Sequence, residues 1–527
     1  MKNYFKAKSR LWKLYLLAGM LSISVFQQEV QAQTLSLDLL GNIESYYRRK
    51  QLSGDDTSGL SFLIKPISLQ SNNEFNRLLL QNSTGKVSLY LLPLTVQQQY
   101  NSHHPYGMND NAMIQSKGYQ AIISAGVYFK AGPLSIQLRP DFVYAANKNF
   151  DQLEKVDNHI YYAYPELVYN RIDLPSRFSD GTYQQASWGQ SSIRLNFDPV
   201  SFGLSNENLW WGPGRKNSLL MSNNAPGFKH LTLNTTRPVD VKIGKVEAQV
   251  IAGRLENSGV AIPSPETPSK FLVKPDNWRS IAGIVFTYQP KWVPGLYLGF
   301  DRTAVAYQSA ADSAIIFSSW FGRFLLPESH AEVYFQIGKN RHTPVDGQGR
   351  LSSTAYIAGF SKLVPLRAED QYIQVDVEFT QLERSRSRGV KDKPAWYTDV
   401  AIMHGYTNDG QVIGAGVGPG GSMQSLDLSW VKGVKQIGLG FERIANNNDF
   451  FYSAGKPVAD PRRHWVDLAL KGNFSWNFNR LIVNAEFAVV KSLNYQWQYV
   501  DDGSFYWDVP KIDVANFHSK IGLMYSF

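Results

Sequence analysis

Hydrophobic and polar positions alternate along most of this chain. In "YIQVDVEFT", Ile373, Val375, Val377 and Phe379 point one way, and Gln374, Asp376 and Glu378 point the other. "RLIVNAEFAVV" sets Leu481, Val483, Ala485, Phe487 and Val489 against Asn484 and Glu486. "LSIQLRP" sets Leu134, Ile136 and Leu138 against Ser135, Gln137 and Arg139, and "KVEAQVIAG" repeats the scheme with Val246, Ala248 and Val250. A period of two predicts strands with one apolar and one polar face. The period alone fits either a secreted sandwich, whose polar face meets water, or a membrane barrel, whose polar face meets the lumen.

The connections separate these two. Counted back from Phe527, strands near Val514–Phe527, Arg480–Ser492, His464–Phe474 and Val434–Ile444 are joined alternately by long and short links. Tight links recur at Lys432-Gly433, Gly244-Lys245, Asp198-Pro199 and Lys130–Pro133. Long loops on one side and tight turns on the other are the asymmetry of an outer-membrane barrel. The rhythm predicts an all-β chain: a transmembrane antiparallel β-barrel of about 18 strands over residues 86–527. Residues 33–85 break the rhythm. "GNIESYYRRKQLSG" and "NNEFNRLLLQN" each read as a short helix, so this segment is expected to be a small periplasmic part.

Composition and the termini sharpen the picture. Lys2, Lys6, Lys8, Arg10 and Lys13 precede an apolar run and "VQAQT", the pattern of a secretory signal peptide over residues 1–32. The formal charge of +9 shrinks to +5 without those residues, which argues against nucleic acid as a partner. There is no cysteine, so neither disulfides nor lipid attachment through a cysteine is available. Aromatics make up 13% of the chain, yet no later apolar run is long enough for a membrane helix. The final "IGLMYSF" puts Ile521, Leu523, Tyr525 and Phe527 on one face. A closing barrel strand has a partner on each side, which explains an ending that would otherwise be a bare edge. Tyr525 and Phe527 suit an aromatic girdle, and the terminal aromatic resembles the signal read by barrel-assembly machinery.

Two glycine-rich stretches stand apart: "NENLWWGPGRKNSLLMSNNAPGF", residues 206–228, and "HGYTNDGQVIGAGVGPGGSMQ", residues 404–424. The Trp-Gly-Pro-Gly block with its downstream Ser-Asn-Asn-Ala, and the later Gly-Pro-Gly block, resemble the Wzi family of capsule-assembly outer-membrane proteins. The resemblance implies an 18-stranded barrel with a small helical periplasmic part. It implies a non-enzymatic lectin that holds exported capsular polysaccharide, or a related surface glycan, at the cell surface. The outer membrane, its lipids and lipopolysaccharide, and a monomeric state complete that expectation.

The residues themselves suit a glycan. Trp210 and Trp211 offer flat apolar faces with an N–H donor. Arg215 and Lys216 match sugar carboxylates. Asn206, Asn223 and Asn224 both donate and accept, as hydroxyl groups require. His404 and Tyr406 in the second stretch join this set. Gly212, Pro213 and Gly214, and Gly418, Pro419 and Gly420, read as turn-builders. The basic run "LERSRSRGVKDKP", residues 382–394, reads as a solvated loop with an anionic polymer or lipopolysaccharide as the other reading.

Catalytic and metal signatures are missing. No G-x-S-x-G, H-E-x-x-H or Walker loop occurs, and the nine histidines are scattered, His103-His104 reading as a solvated pair. No cofactor and no metal are expected. The alternative function is a porin or specific channel, for which the inward Arg139, Asp376, Glu378 and Glu486 would line a wet lumen.

Overall fold

The computed structural model describes residues 32–35, 40–55, 60–70, 75–152, 164–260, 271–308, 313–341, 352–384, 395–454, 464–498 and 512–527. Residues 1–31 of the expected signal peptide and residues 385–394 of the basic run lie outside them. Long antiparallel strands follow one another from Gly244–Leu255 to Val514–Tyr525, each hydrogen-bonded to its sequence neighbour. The last strand pairs with Leu481–Leu493 on one side and with Leu94–Asn101 on the other, Tyr525 lying opposite both Leu481 and Leu94. The sheet therefore runs back to its first strands as a β-barrel.

The N-terminal strands are broken where the sequence cannot continue a ladder. Val87–Leu91 and Leu94–Asn101 are separated at Pro93, and Leu134–Leu138 and Asp141–Ala145 at Pro140. Proline has no N–H to donate. Gly118–Ser124 and Val127–Ala131 are separated at Gly126, where a Cβ would lie 2.3 Å from the Leu138 carbonyl oxygen.

Burial follows the predicted alternation with its sense inverted relative to a soluble protein. Gln374, Glu378, Gln137 and Arg139 are buried, whereas Trp320 and Leu439 are about two-thirds exposed. Large apolar side chains facing outward and polar ones facing inward suit a hydrocarbon surround. The tight links at Lys432–Lys435, Val241–Gly244, Phe197–Val200 and Ala131–Leu134 all close hairpins.

Helix α1, Leu40–Ser53, occupies the first of the two predicted helical stretches. It ends at Gly54, whose φ of 85° serves the left-handed exit of a helix. Arg49 Nη2 donates to the carbonyl of Gly433 at 2.7 Å, so α1 sits at the tight-turn end of the barrel. The second predicted helix is a correction. Arg77–Gln81 is a strand paired with Val87–Leu91, because "RLLLQ" completes a hairpin across Asn82–Lys86 that a helix would leave unpaired. The histidine pair is another correction, since His104 is only 1% exposed and contacts Tyr495 and Ser492.

Candidate functional site: a polar cavity beside the Trp-Gly-Pro-Gly turn

The stretch 206–228 does not extend outward; it folds into the lumen. Trp210–Trp211 forms a two-residue strand against Ile64–Lys65. The strand's alternation sends the two indoles to opposite sides. Trp211 is fully buried, and its Nε1 donates to Gln249 Oε1 at 2.9 Å. A Cβ at Gly283 would lie 2.8 Å from the Trp211 ring, so the wall leaves out a side chain to admit it. Trp210 faces the cavity instead. The Lys65 ammonium lies 4.7 Å from its ring centre, and its buried Nε1 has no hydrogen-bond partner.

The turn that follows is held from both sides. Gly212 has a φ of 116°, and its N–H donates to the Leu63 carbonyl at 2.8 Å. The Pro213 carbonyl accepts both Arg48 Nη groups at 3.1 Å. At Gly214 any Cβ would collide with the Asn217 carbonyl oxygen, 2.0 Å away. The turn aims three successive N–H groups, from Arg215, Lys216 and Asn217, at the Glu378 carboxylate, at 2.6, 3.1 and 2.9 Å. Such a nest of amides binds an anion, and here a wall carboxylate fills it. The Tyr334 hydroxyl donates to the same carboxylate at 2.8 Å.

The side chains of the turn enter two ionic groups. Arg215 reaches Glu332 Oε1 at 2.8 Å, which also receives Arg48 of α1 at 2.9 Å. Arg323 closes on Glu332 Oε2 at 2.6 Å, so one buried carboxylate joins helix, turn and wall. Lys216 Nζ lies 3.0 Å from Asp427 and 3.1 Å from Glu442. Burial alone would lower both cations, but Asp376 and Glu332 around Arg215, and Asp427 and Glu442 around Lys216, hold them well above their ordinary values. At Lys65 burial wins and pushes the ammonium down to about 8, despite Glu44 at 2.7 Å.

Between these groups lies a cavity of about 390 Å³. Glu44, Ser45 and Lys65 form one side, Trp210, Arg215, Lys216 and Asn223 another, and Asp376, Asp427, Gln436, Asn473, Asn484, Glu486 and Lys520 the wall. Asn223 donates to the Asn109 carbonyl at 3.2 Å, and its own Oδ1 has no partner. The arrangement offers mixed donors, acceptors and one indole within reach of a polar, hydroxyl-rich molecule.

The structure thus divides the sequence-derived set. Trp210, Arg215, Lys216 and Asn223 share the cavity. Trp211, Asn224, His404 and Tyr406 do not, because internal partners engage them. Asn224 donates to the Val412 carbonyl at 3.0 Å. Tyr406 is fully buried, stacks on Tyr397 and donates to the Leu220 carbonyl at 2.9 Å. His404 meets the Tyr307 hydroxyl at 2.6 Å. Burial, with Arg279 adding to it, pushes His404 down to about 4. Asn206 donates to the Gly189 carbonyl. Gly418 and Gly420 adopt φ of 75° and 59° on either side of Pro419, as a turn requires. Tyr525 faces outward with Phe527 edge-on, ring centres 5.4 Å apart. Arg384, from the basic run, is held by Asp449 at 3.2 Å. Arg48, Glu332, Arg323, Glu442, Lys471 and Lys520 were not picked out from the sequence. For the strand residues the only signal was a charge on an inward position, and for Arg48 a charge on a predicted helix; neither reveals its partner.

Residues 93–305, which include the first glycine-rich stretch, match the family described as capsule assembly protein Wzi, so the resemblance stands there; the second stretch, residues 404–424, lies outside the match. No curated protein matches the chain. Among solved structures the chain is similar to Wzi of Escherichia coli, an outer membrane protein described as involved in group 1 capsule assembly and as a carbohydrate-binding β-barrel. That likeness covers 94% of this chain and 99% of that one, at 11% identity and a TM-score of 0.58. At this identity it shows the fold, a β-barrel. OccAB2 of Acinetobacter baumannii, at 11% identity, covers 84% of this chain and 98% of its own with a TM-score of 0.42. A BenF-like porin of Pseudomonas fluorescens, at 6% identity, covers 84% and 99% with 0.41. Neither is similar enough to bear on whether this lumen conducts.

Proposed function

We propose that this protein is an outer-membrane barrel of 18 spanning strands, counting each interrupted pair as one and leaving out the short Arg77–Gln81, that binds surface polysaccharide and holds it at the cell. Binding is non-covalent and needs no cofactor. The observation that carries the reading is the cavity in which Trp210, Lys216 and Asn223 converge with Asp427 and Glu486. Sugar recognition asks for that chemistry: an apolar ring face, amides that donate and accept, and charges for acidic sugars. The match to the capsule-assembly family over residues 93–305 supports the same reading. A diffusion pore fits less well, since Trp211, Tyr397, Tyr406 and Leu219 are packed into the lumen with no exposure. The test is the fraction of surface polysaccharide retained on the cell, in a deletion strain carrying either the intact gene or Trp210→Ala/Lys216→Ala. Retained polymer should fall while total polymer holds. Unchanged retention in the deletion strain would end the tethering idea, and large single-channel conductance of the purified protein would favour the pore.

A further inference from the structure

The outward wall around Ala282 departs from the rest of the barrel surface. Three rows of outward residues cross neighbouring strands there. Ala252, Ala282, Ala304, Ile316 and Arg341 form one row, and Arg254, Ser280, Ala306 and Ala314 the next. Val250, Ile284, Arg302, Ser318 and Lys339 form the third. The small residues open a groove of about 510 Å³, with Leu231 and Trp278 at its margins. Beyond it the outward positions fill out again, as at Phe286, Leu298 and Trp320.

Cations stand on both sides of this groove. Lys229 and Arg254 line it, the Arg254 guanidinium lying 5.0 Å over the Trp278 ring and paired with Glu256 at 2.8 Å. Arg302, Lys339 and Arg341 are exposed, and among the described residues none has a carboxylate partner. Strands lie about 4.8 Å apart, so Arg254 on one side and Lys339 and Arg341 four strands away bracket about 19 Å of wall, with Arg302 between them on the strand of Ala304 and Ala306. The groove lies toward the long-loop end: Leu255 and Arg341 end strands that begin at the tight-turn end. An unpaired cation on a lipid-facing wall is costly unless an anion meets it at the interface.

We propose that this face is a binding site for an acylated, phosphorylated glycolipid of the outer leaflet, its acyl chain in the groove and its phosphates on the bracketing cations. This rests on the membrane reading above and is independent of polysaccharide binding. A neutral or zwitterionic lipid fills the groove but leaves the cations without net countercharge, which is why the phosphorylated glycolipid is preferred.

The test is native mass spectrometry of the folded, detergent-purified protein with added lipid A, dephosphorylated lipid A or phosphatidylethanolamine. Lipid A should be retained in preference to the other two. Arg302→Gln/Lys339→Gln should reduce its retention by roughly tenfold or more. Ala282→Phe, which keeps every charge, should reduce it as well by filling the groove. Heat-modifiable migration on gels verifies that each variant is folded. Equal retention of lipid A by wild type and both variants, or equal binding of the dephosphorylated lipid, would overturn the site. Failure to recover the intact protein in the membrane fraction would instead sink the membrane reading.

Discussion

The lumen has two differently built sides. Around Trp211 it is packed like the core of a soluble protein: Leu219, Leu220, Met221, Tyr397 and Tyr406 meet wall residues Val285, Val305, Phe317 and Ile357, all at or near zero exposure. Around Lys216 it is ionic: Lys216, Asp427, Glu442, Lys471 and Glu486 form a chain of ion pairs beside an open cavity. The packed side has no room for a ligand. The ionic side keeps room because charged groups that satisfy one another through two or three contacts cannot also fill space as interlocking aromatics do. One two-residue strand, Trp210–Trp211, borders both. A plug thus needs an apolar side to be stable and a polar side to bind.

The largest effect is expected where the two sides are tied together. Glu332→Ala leaves Arg48, Arg215 and Arg323 without their shared carboxylate and should cost about 3–5 kcal/mol. Thermal unfolding by heat-modifiable migration would show it, together with faster proteolysis within α1. An unchanged melting point would mean that the helix is held by other contacts.

Next comes the tryptophan pair, which tests the contrast itself. Trp211→Ala should destabilise the barrel by about 3–5 kcal/mol through the lost packing and the unpaired Gln249 Oε1. Trp210→Ala should destabilise less, because its ring borders the cavity as well as clustering with Ile43, Ile482 and Met524, and it should lower polysaccharide retention. Equal destabilisation by both would erase the distinction between the sides.

Glu378→Gln tests the nest. The neutral amide accepts fewer of the N–H groups of Arg215, Lys216 and Asn217, and about 1–3 kcal/mol of stability should be lost. Protection of those amides in hydrogen exchange should fall first.

The last effect is a pH dependence to which His404, on the packed side, contributes. His404 is held at about 4 in the fold, against 6.5 for a free imidazole. The unfolded chain binds the extra proton across that window, so stability falls as the pH drops from 6.5 to 4. His404→Gln should flatten the slope there, as read from unfolding midpoints across the window. A slope identical to wild type would place the titrating group elsewhere.

Much of this was legible in the residues. The alternation at 372–380 and 480–490 and the tight turns specify strands and their inward faces, because a period of two has only one way to separate lipid from lumen. In the predicted turn, Gly212 has a φ of 116°, where glycine is favoured, and at Gly214 any Cβ would meet the Asn217 carbonyl oxygen. The helix read into residues 72–82 failed because local propensity lost to the pairing offered by Val87–Leu91. The roles of Trp210 and Trp211, Lys216 and His404 were settled only by tertiary structure. Adjacent indoles look alike in sequence, and which one reaches a cavity depends on the register against Ile64–Lys65, about 150 residues away. Likewise, a charge on an inward position is visible in sequence, but whether Glu378 meets water or three amide groups depends on a segment folded in from another part of the chain. The sequence by itself determined the faces of this barrel, because local periodicity and solvent preference decide them. Only the tertiary structure decided what fills the barrel, because long-range contacts select each luminal partner.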